Sequence, residues 1–462
     1  MSATRTACYS PNDGRLLDDV ETIDANALEA AVQNARTAYY ALADDVSLRR
    51  QLLSDFRDRL LGDKAALSAL VVDEVGKTPA EAAGEVDYAA AFIDQALLAM
   101  DQGLLEPDRI RGHVIRKVGV GPALLIAPYN DPLAGITRKV APALAAGCPV
   151  LVKPSRLGLL SARAVMDHLG TIAPAGTAAQ INIHDTEALQ RLIGHEEISI
   201  VSFTGSTETG RKVAAAAGAG LTKAVLELGG NNAFLVDRDA DPEKAADDLI
   251  GRKIKAAGQA CSSVNRAYVH ADIADRFLER LEARTRPLRT GPSTSDVDYG
   301  PLRTQSLQAY LSMLQAELAA IDGARLVSTD RRDATDATSA FPLAWVQLPE
   351  GAENPLDQAE TFGPLMTVTI IGETKRALAH IARGRQNLVF YYYGGDVALV
   401  RQYFASARHG SIGLNTTAIQ GPEIATGGFG EAGFGREGGR YGVAEFLTTL
   451  NVADPTGSIS LT

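Results

Sequence analysis

The sequence predicts an α/β fold, with a mainly parallel, doubly wound sheet followed by a second α/β unit. Three observations point there. At 462 residues the chain exceeds one ordinary core, because domains usually hold roughly 100–200 residues. Beyond residue 111, short β-branched runs alternate with amphipathic helical segments, which is the pattern of strand, crossover helix and strand. With 46% hydrophobic and 22% charged residues, the composition is that of a globular protein and excludes a disordered one.

Taken in order, residues 24–61 place apolar residues three and four apart, with Asp or Asn near the starts, and predict amphipathic helices. Residues 64–100 predict a second helical block, and both blocks read as packing helices without chemistry. "HVIRKVGVGPALLIAPYN" alternates, then turns apolar before a Pro/Asn turn, which predicts a β-ribbon leading into a strand. "ITRKVAPALAAGCPVLVKPSRLG" predicts a helix, a buried strand at 149–152 and a polar loop, with a helix at 161–169 after it. "AAQINIH", "ISIVSFTGS" and "AVLELGG" predict strands, with a helix over 208–218. From Gly230 the strand "NNAFLV", a helix over 242–257, the strand "RAYVH" and a helix from Ile273 make the second unit, with polar loops at 293–300 and 328–339.

A net charge of −11 without any Lys/Arg run excludes non-specific nucleic-acid binding, which needs clustered cations. Cys8, Cys148 and Cys261 are too few and too dispersed for a disulfide framework, and no CxxC or His-rich cluster predicts a metal. No signal pattern opens the sequence, and the apolar stretch at 141–152 is too short to span a bilayer. The expectation is a cytoplasmic protein in a reducing compartment, without membrane or nucleic-acid partners.

Cys261 in "GQACSS" is either a small buried apolar residue or a nucleophile. A cysteine that attacks a carbonyl needs an oxyanion donor, and hydrolysis of the resulting thioester needs a base. Asn130, between two prolines in "APYNDPL", is either an ordinary Asx turn or a rigid amide donor. Glu227 in "LELGGNN" is either a solvated edge carboxylate or that base, and Gly229 and Gly230 allow close backbone approach. Gly205 and Ser206 in "SFTGSTETGRK" sit at a strand-to-helix junction, where backbone N–H groups and the helix dipole attract phosphate. Lys153 and Ser155 in "LVKPSRL" end another strand, either solvated or within reach of a ribose or phosphate.

Together with "ALAAGCPVLVKPS", "ETFGPL" and "GGFGEAGFGREGGRYG", and in this order, these segments resemble the aldehyde dehydrogenase superfamily over nearly the whole chain, nearest to its succinate-semialdehyde dehydrogenase-like members. The resemblance implies a Rossmann-like dinucleotide-binding domain over 1–100 and 120–229, and a catalytic domain over 230–440. It also implies a β-ribbon oligomerisation element over 101–119 and 441–462, in a homodimer or homotetramer. It makes Cys261 the nucleophile, the Asn130 amide and the Cys261 N–H the oxyanion donors, and Glu227 the base. Lys153, Ser155, Gly205 and Ser206 match positions that hold the adenosine ribose and pyrophosphate of NAD or NADP, and Glu360 and Phe362 those that hold the nicotinamide ribose.

Departures carry specificity. Arg156 stands where NAD-preferring members have a glutamate, which removes repulsion of a 2′-phosphate and leans the expectation to NADP, unless Arg156 merely points into solvent. "ITRK" at 136–139 resembles the succinate-semialdehyde enzymes, in which Arg138 would grip a distal carboxylate with Lys255 as the second cation; alternatively Arg138 is a structural ion pair. Gly135 leaves room for a longer or wider substrate, so an aromatic or phosphonate-bearing aldehyde is the competing substrate class. A catalytically silent structural relative is the non-enzymatic alternative, and retention of Cys261, Asn130 and Glu227 together argues against it.

Overall fold

In the computed structural model, which describes residues 5–329, 331–332, 339–406 and 408–455, two sheets carry the chain. The first has six strands in the order Gly433–Phe434, Lys223–Leu228, Ile200–Gly205, Ala123–Ile126, Val150–Lys153 and Ala178–Gln180, all parallel except the short first one. Ala123–Ile126 is buried on both faces, so it reads as a continuous apolar run and not an alternating one. From it the chain winds outward through Val150–Lys153, then returns to its other side with Ile200–Gly205. The crevice at the carboxyl ends of Ala123–Ile126 and Ile200–Gly205 is therefore a topological switch point, where α/β sheets bind ligands.

The second sheet runs Arg325–Ser328, Ala344–Leu348, Leu365–Ile371, Val264–His270, Asn232–Val236, Val389–Tyr393 and Ser411–Leu414, parallel except for its first strand. Val264–His270 is its central strand and, like Asn232–Val236 and Val389–Tyr393 after it, is wholly buried. A separate antiparallel sheet joins Asp108–Ile110, His113–Gly119 and Leu447–Ala453. Among the described residues no helix is long and apolar enough to cross a membrane.

Several expectations change. An antiparallel hairpin, Arg5–Tyr9 with Leu16–Glu21, precedes the first helix, where the sequence predicted no element. The strand expected in "AAQINIH" shortens to Ala178–Gln180, because it is an edge strand and its one neighbour ends at Lys153. The helix expected over 242–257 stops at Ile254. Ala256 (φ 49°) and Ala257 (φ 54°) are left-handed, a conformation that costs L-residues about 1–2 kcal/mol each and is kept where surrounding contacts over-determine it. One such contact is the Ala256 N–H, which donates to Glu81 Oε1 at 2.7 Å. The sharp turn redirects the chain so that Gln259 and Cys261 enter a cavity instead of continuing a helix. The loop expected at 328–339 lies mostly outside the described residues.

Candidate active site

The loop that carries Cys261 is tacked down by its carbonyl groups. Asn232 Nδ2 donates to Cys261 O (2.7 Å) and Ser263 O (2.8 Å), and the Tyr391 hydroxyl donates to Ser262 O at 2.9 Å. A Cβ at Gly230 would stand 2.9 Å from Cys261 O, so only glycine lets the two segments meet. Among the described residues the Cys261 N–H and the Asn130 side-chain amide make no hydrogen bond. Both are free to donate to an oxyanion.

Asn130 follows Ala123–Ile126 through the turn at Pro128 and lines the same cavity as Cys261, with a volume of about 520 Å³. Arg138 and Lys255 line it too. Arg138 Nη1 lies 3.7 Å from Glu437 Oε2, and its guanidinium lies 4.8 Å from the Phe92 ring centroid and 5.8 Å from that of Tyr88. Its buried Nε has no partner among the described residues. Thus Arg138 is both a structural ion pair and a wall of the cavity. Lys255 is exposed at the end of Pro242–Ile254.

Burial pushes the Cys261 thiol up to about 11; the charges of Arg138 and Arg252 act downward, and the Glu227 and Glu360 carboxylates add to the rise. Glu227 does not line the cavity. It stands behind it in Lys223–Leu228, paired with Thr204 on one side and Gly433 on the other. Burial, reinforced by the Glu437 carboxylate, raises its carboxyl well above the usual range, and its buried Oε1 has no partner among the described residues.

The second helical block, residues 64–100, was expected to be inert but supplies part of the cavity's lining, which corrects that expectation. Lys77 donates to Glu85 Oε2 (2.7 Å) and Asp131 Oδ1 (2.5 Å). Glu85 Oε1 accepts from the N–H groups of Leu133 (2.8 Å) and Ala134 (3.2 Å), capping the helix Ala134–Ala146, which has no side-chain cap of its own. Burial would raise Asp131, but Lys77 and Arg138 beside it hold its carboxyl down at about 2. The network pins the turn that bears Asn130 to the helix that bears Arg138. No local sequence signal marks it, apart from the capping box Thr78 to Glu81 that starts its helix.

The other group of expected residues gathers at the switch point. Gly205 ends its strand, and Ser206 caps the helix Thr207–Gly220 by accepting the Thr209 N–H at 3.3 Å. Lys153 ends Val150–Lys153, on the other side of Ala123–Ile126; burial and the charge of Arg156 lower its ammonium below the usual lysine value. Ser155 Oγ accepts the Leu157 N–H at 3.2 Å. Arg156 is exposed and pairs with no carboxylate among the described residues. An uncapped cluster of cations beside a helix N-terminus fits the pyrophosphate and ribose of a dinucleotide. Glu360 lies against Gly229, where a Cβ would overlap its carboxylate, and burial pushes it up to about 8. Phe362 is left-handed (φ 44°) and meets the Tyr129 ring edge-on at 6.0 Å. The Glu360 charge also acts on the Cys261 thiol.

Residues 1–452 match the aldehyde dehydrogenase family. Among similar proteins, the non-phosphorylating aspartate-semialdehyde dehydrogenase of Halomonas elongata is 31% identical over 96% of this chain and 91% of its own. The succinate-semialdehyde dehydrogenase [NADP(+)] of Escherichia coli is 32% identical over 95% of this chain and 92% of its own. The crystal structure of PnpE in complex with nicotinamide adenine dinucleotide superposes with a TM-score of 0.91, at 26% identity over 99% of this chain and 95% of that one. With a family match over almost the whole length, the chain belongs to the aldehyde dehydrogenase family of NAD(P)-dependent oxidoreductases.

Proposed function

We propose that the protein oxidises a short semialdehyde bearing a distal acid group, such as succinate semialdehyde, to the corresponding dicarboxylate, with Cys261 as nucleophile. The observation that carries this reading is the shared cavity of Cys261, Asn130 and Arg138. The Cys261 thiolate adds to the aldehyde carbon, and the Asn130 amide and Cys261 N–H hold the resulting oxyanion of the thiohemiacetal. A bound nicotinamide cofactor supplies the hydride acceptor that leaves a thioester on the sulfur. Glu227 then takes a proton from the water that attacks the thioester, releasing the acid and restoring the thiol. Lys153, Ser155, Gly205 and Ser206 would hold the adenosine end of the cofactor, Glu360 and Phe362 its nicotinamide ribose, and Arg138 and Lys255 the acid group of the substrate.

In this reading residues 1–100 and 120–229 form the dinucleotide-binding domain and 230–440 the catalytic domain. The antiparallel strands within 101–119 and 441–462 serve a cytoplasmic homodimer or homotetramer, and sedimentation of the purified protein tests that assembly. Arg138→Ala is expected to erase an advantage of about 10- to 1,000-fold in kcat/KM for succinate semialdehyde over butanal, since charge-assisted bonds in a desolvated site are worth about 1.5–3 kcal/mol each. If the wild-type enzyme already turns over both aldehydes equally, the acid-group reading fails while the oxidation chemistry stands.

The preference for NADP rests on Arg156, which has no carboxylate partner among the described residues and whose charge also reaches Lys153 and His184. Arg156→Glu is expected to shift the ratio of Kd values toward NAD by about 10- to 100-fold, measured by fluorescence titration without substrate. An unchanged ratio places the 2′-phosphate elsewhere.

A further inference from the structure

A second guanidinium in the cavity entered neither the expected site nor the reading above. Arg252 lies on the last turn of Pro242–Ile254 and lines the same cavity as Cys261. Its Nε donates to Ser262 O at 3.2 Å and its Nη2 to Gln420 Oε1 at 3.3 Å. Gln420 is fixed in turn, because its Oε1 also accepts the Ser262 hydroxyl at 3.0 Å and its Nε2 lies 4.0 Å from the Cys261 sulfur. The guanidinium is therefore held beside the residue that follows the nucleophile, with the Tyr391 hydroxyl also beside it.

The cations of this cavity differ in what already faces them. Lys77 is saturated by Glu85 and Asp131. Arg138 has Glu437 at 3.7 Å and two ring faces. Lys255 is exposed, and its charge acts on the Asp131 carboxylate. Arg252 has no carboxylate within 4.0 Å among the described residues. A buried-side cation held only by neutral acceptors keeps its full attraction for an incoming anion.

We propose that Arg252, steadied by Gln420, is the specificity-determining partner of Arg138, so that the cavity selects short aldehydes whose acid group is gripped by two guanidinium groups, Arg252 taking the place that the reading above gives to Lys255. The proposal rests on the acid-group reading above. Arg252 approaches from the last turn of the helix Pro242–Ile254 and Arg138 from the helix Ala134–Ala146, and both line the cavity that holds Cys261.

The test compares wild type with Arg252→Gln and Arg252→Lys by two readouts. One is the ratio of kcat/KM for succinate semialdehyde to that for butanal. The other is the ratio of Cys261 alkylation rates by iodoacetate and iodoacetamide in protein without cofactor, which reports the attraction of an anion to the sulfur independently of turnover. In Arg252→Gln the first ratio is expected to fall about 10- to 100-fold and the second several-fold, with Arg252→Lys intermediate in both. If both ratios stay at their wild-type values while the rates for both aldehydes drop together, Arg252 only braces the Ser262 carbonyl and the proposal is overturned. A wild-type enzyme indifferent to the acid group overturns the underlying reading and this proposal with it. A wild-type preference that survives in Arg252→Gln overturns the proposal alone.

Discussion

Cys261→Ala is expected to lower kcat/KM for every aldehyde by about 10,000-fold or more, because the proposed nucleophile is gone while the Asn130 amide remains. Cofactor affinity, read by fluorescence titration, stays near that of wild type. Burial pushes the Cys261 thiol up to about 11, so the thiolate is a minor form of the free protein at neutral pH. Because the raised value favours the protonated form, alkylation of wild type by iodoacetamide is expected to rise about tenfold per pH unit between pH 7 and 9. Mass spectrometry that places the label on Cys8 or Cys148 would contradict this, as would a variant retaining a few per cent of activity. Those two thiols are buried away from the site and burial pushes each up to about 11 as well.

Glu227→Gln separates the two halves of the reaction. Steady-state turnover is expected to fall about 100- to 10,000-fold, while one equivalent of reduced cofactor per site still appears in a rapid burst. The acyl group then persists on Cys261 and is detected as a mass increment. A burst lost together with turnover would assign Glu227 to the first half instead. The pH dependence has a definite sign. The Glu227 carboxyl is raised by burial and by Glu437, so the ionised base appears only as pH climbs through that raised value, and wild-type deacylation climbs with it. Stability moves the opposite way. A carboxyl raised in the folded state supports folding fully below its unfolded value of about 4.3, and that support is lost as pH rises through the folded value. Glu227→Gln carries no such loss, so its Tm is expected to gain on wild type above that pH.

The fold was legible where local pattern and tertiary environment agree. Buried parallel strands such as Ala123–Ile126 and Asn232–Val236 are apolar runs bounded by turns, and the helices have side-chain caps such as Asp24 and Ser206. The end of the helix at Ile254 was not legible, because alanine at 256 and 257 has every local reason to stay helical. A hydrogen bond to Glu81, far away in sequence, helps to hold the left-handed turn. The inert reading of the helices at 64–100 failed for a related reason. Lys77 and Glu85 look like ordinary charges on amphipathic helices, and only packing against the turn at Asp131 shows that they face inward.

By itself the sequence determined the fold class and the segments that meet around Cys261, since apolar periodicity, strand-end glycines and the order of short motifs are properties of the chain read locally. The tertiary structure alone decided the charge inside the cavity. Lys77 and Arg138 act on Asp131, Glu437 faces Arg138, and Arg138 and Arg252 act on the sulfur, through contacts between segments far apart in the chain. Electrostatic energy depends on separation and on burial, and neither is written in the order of the residues. What already faces each of the cavity's two arginines is thus legible only in space.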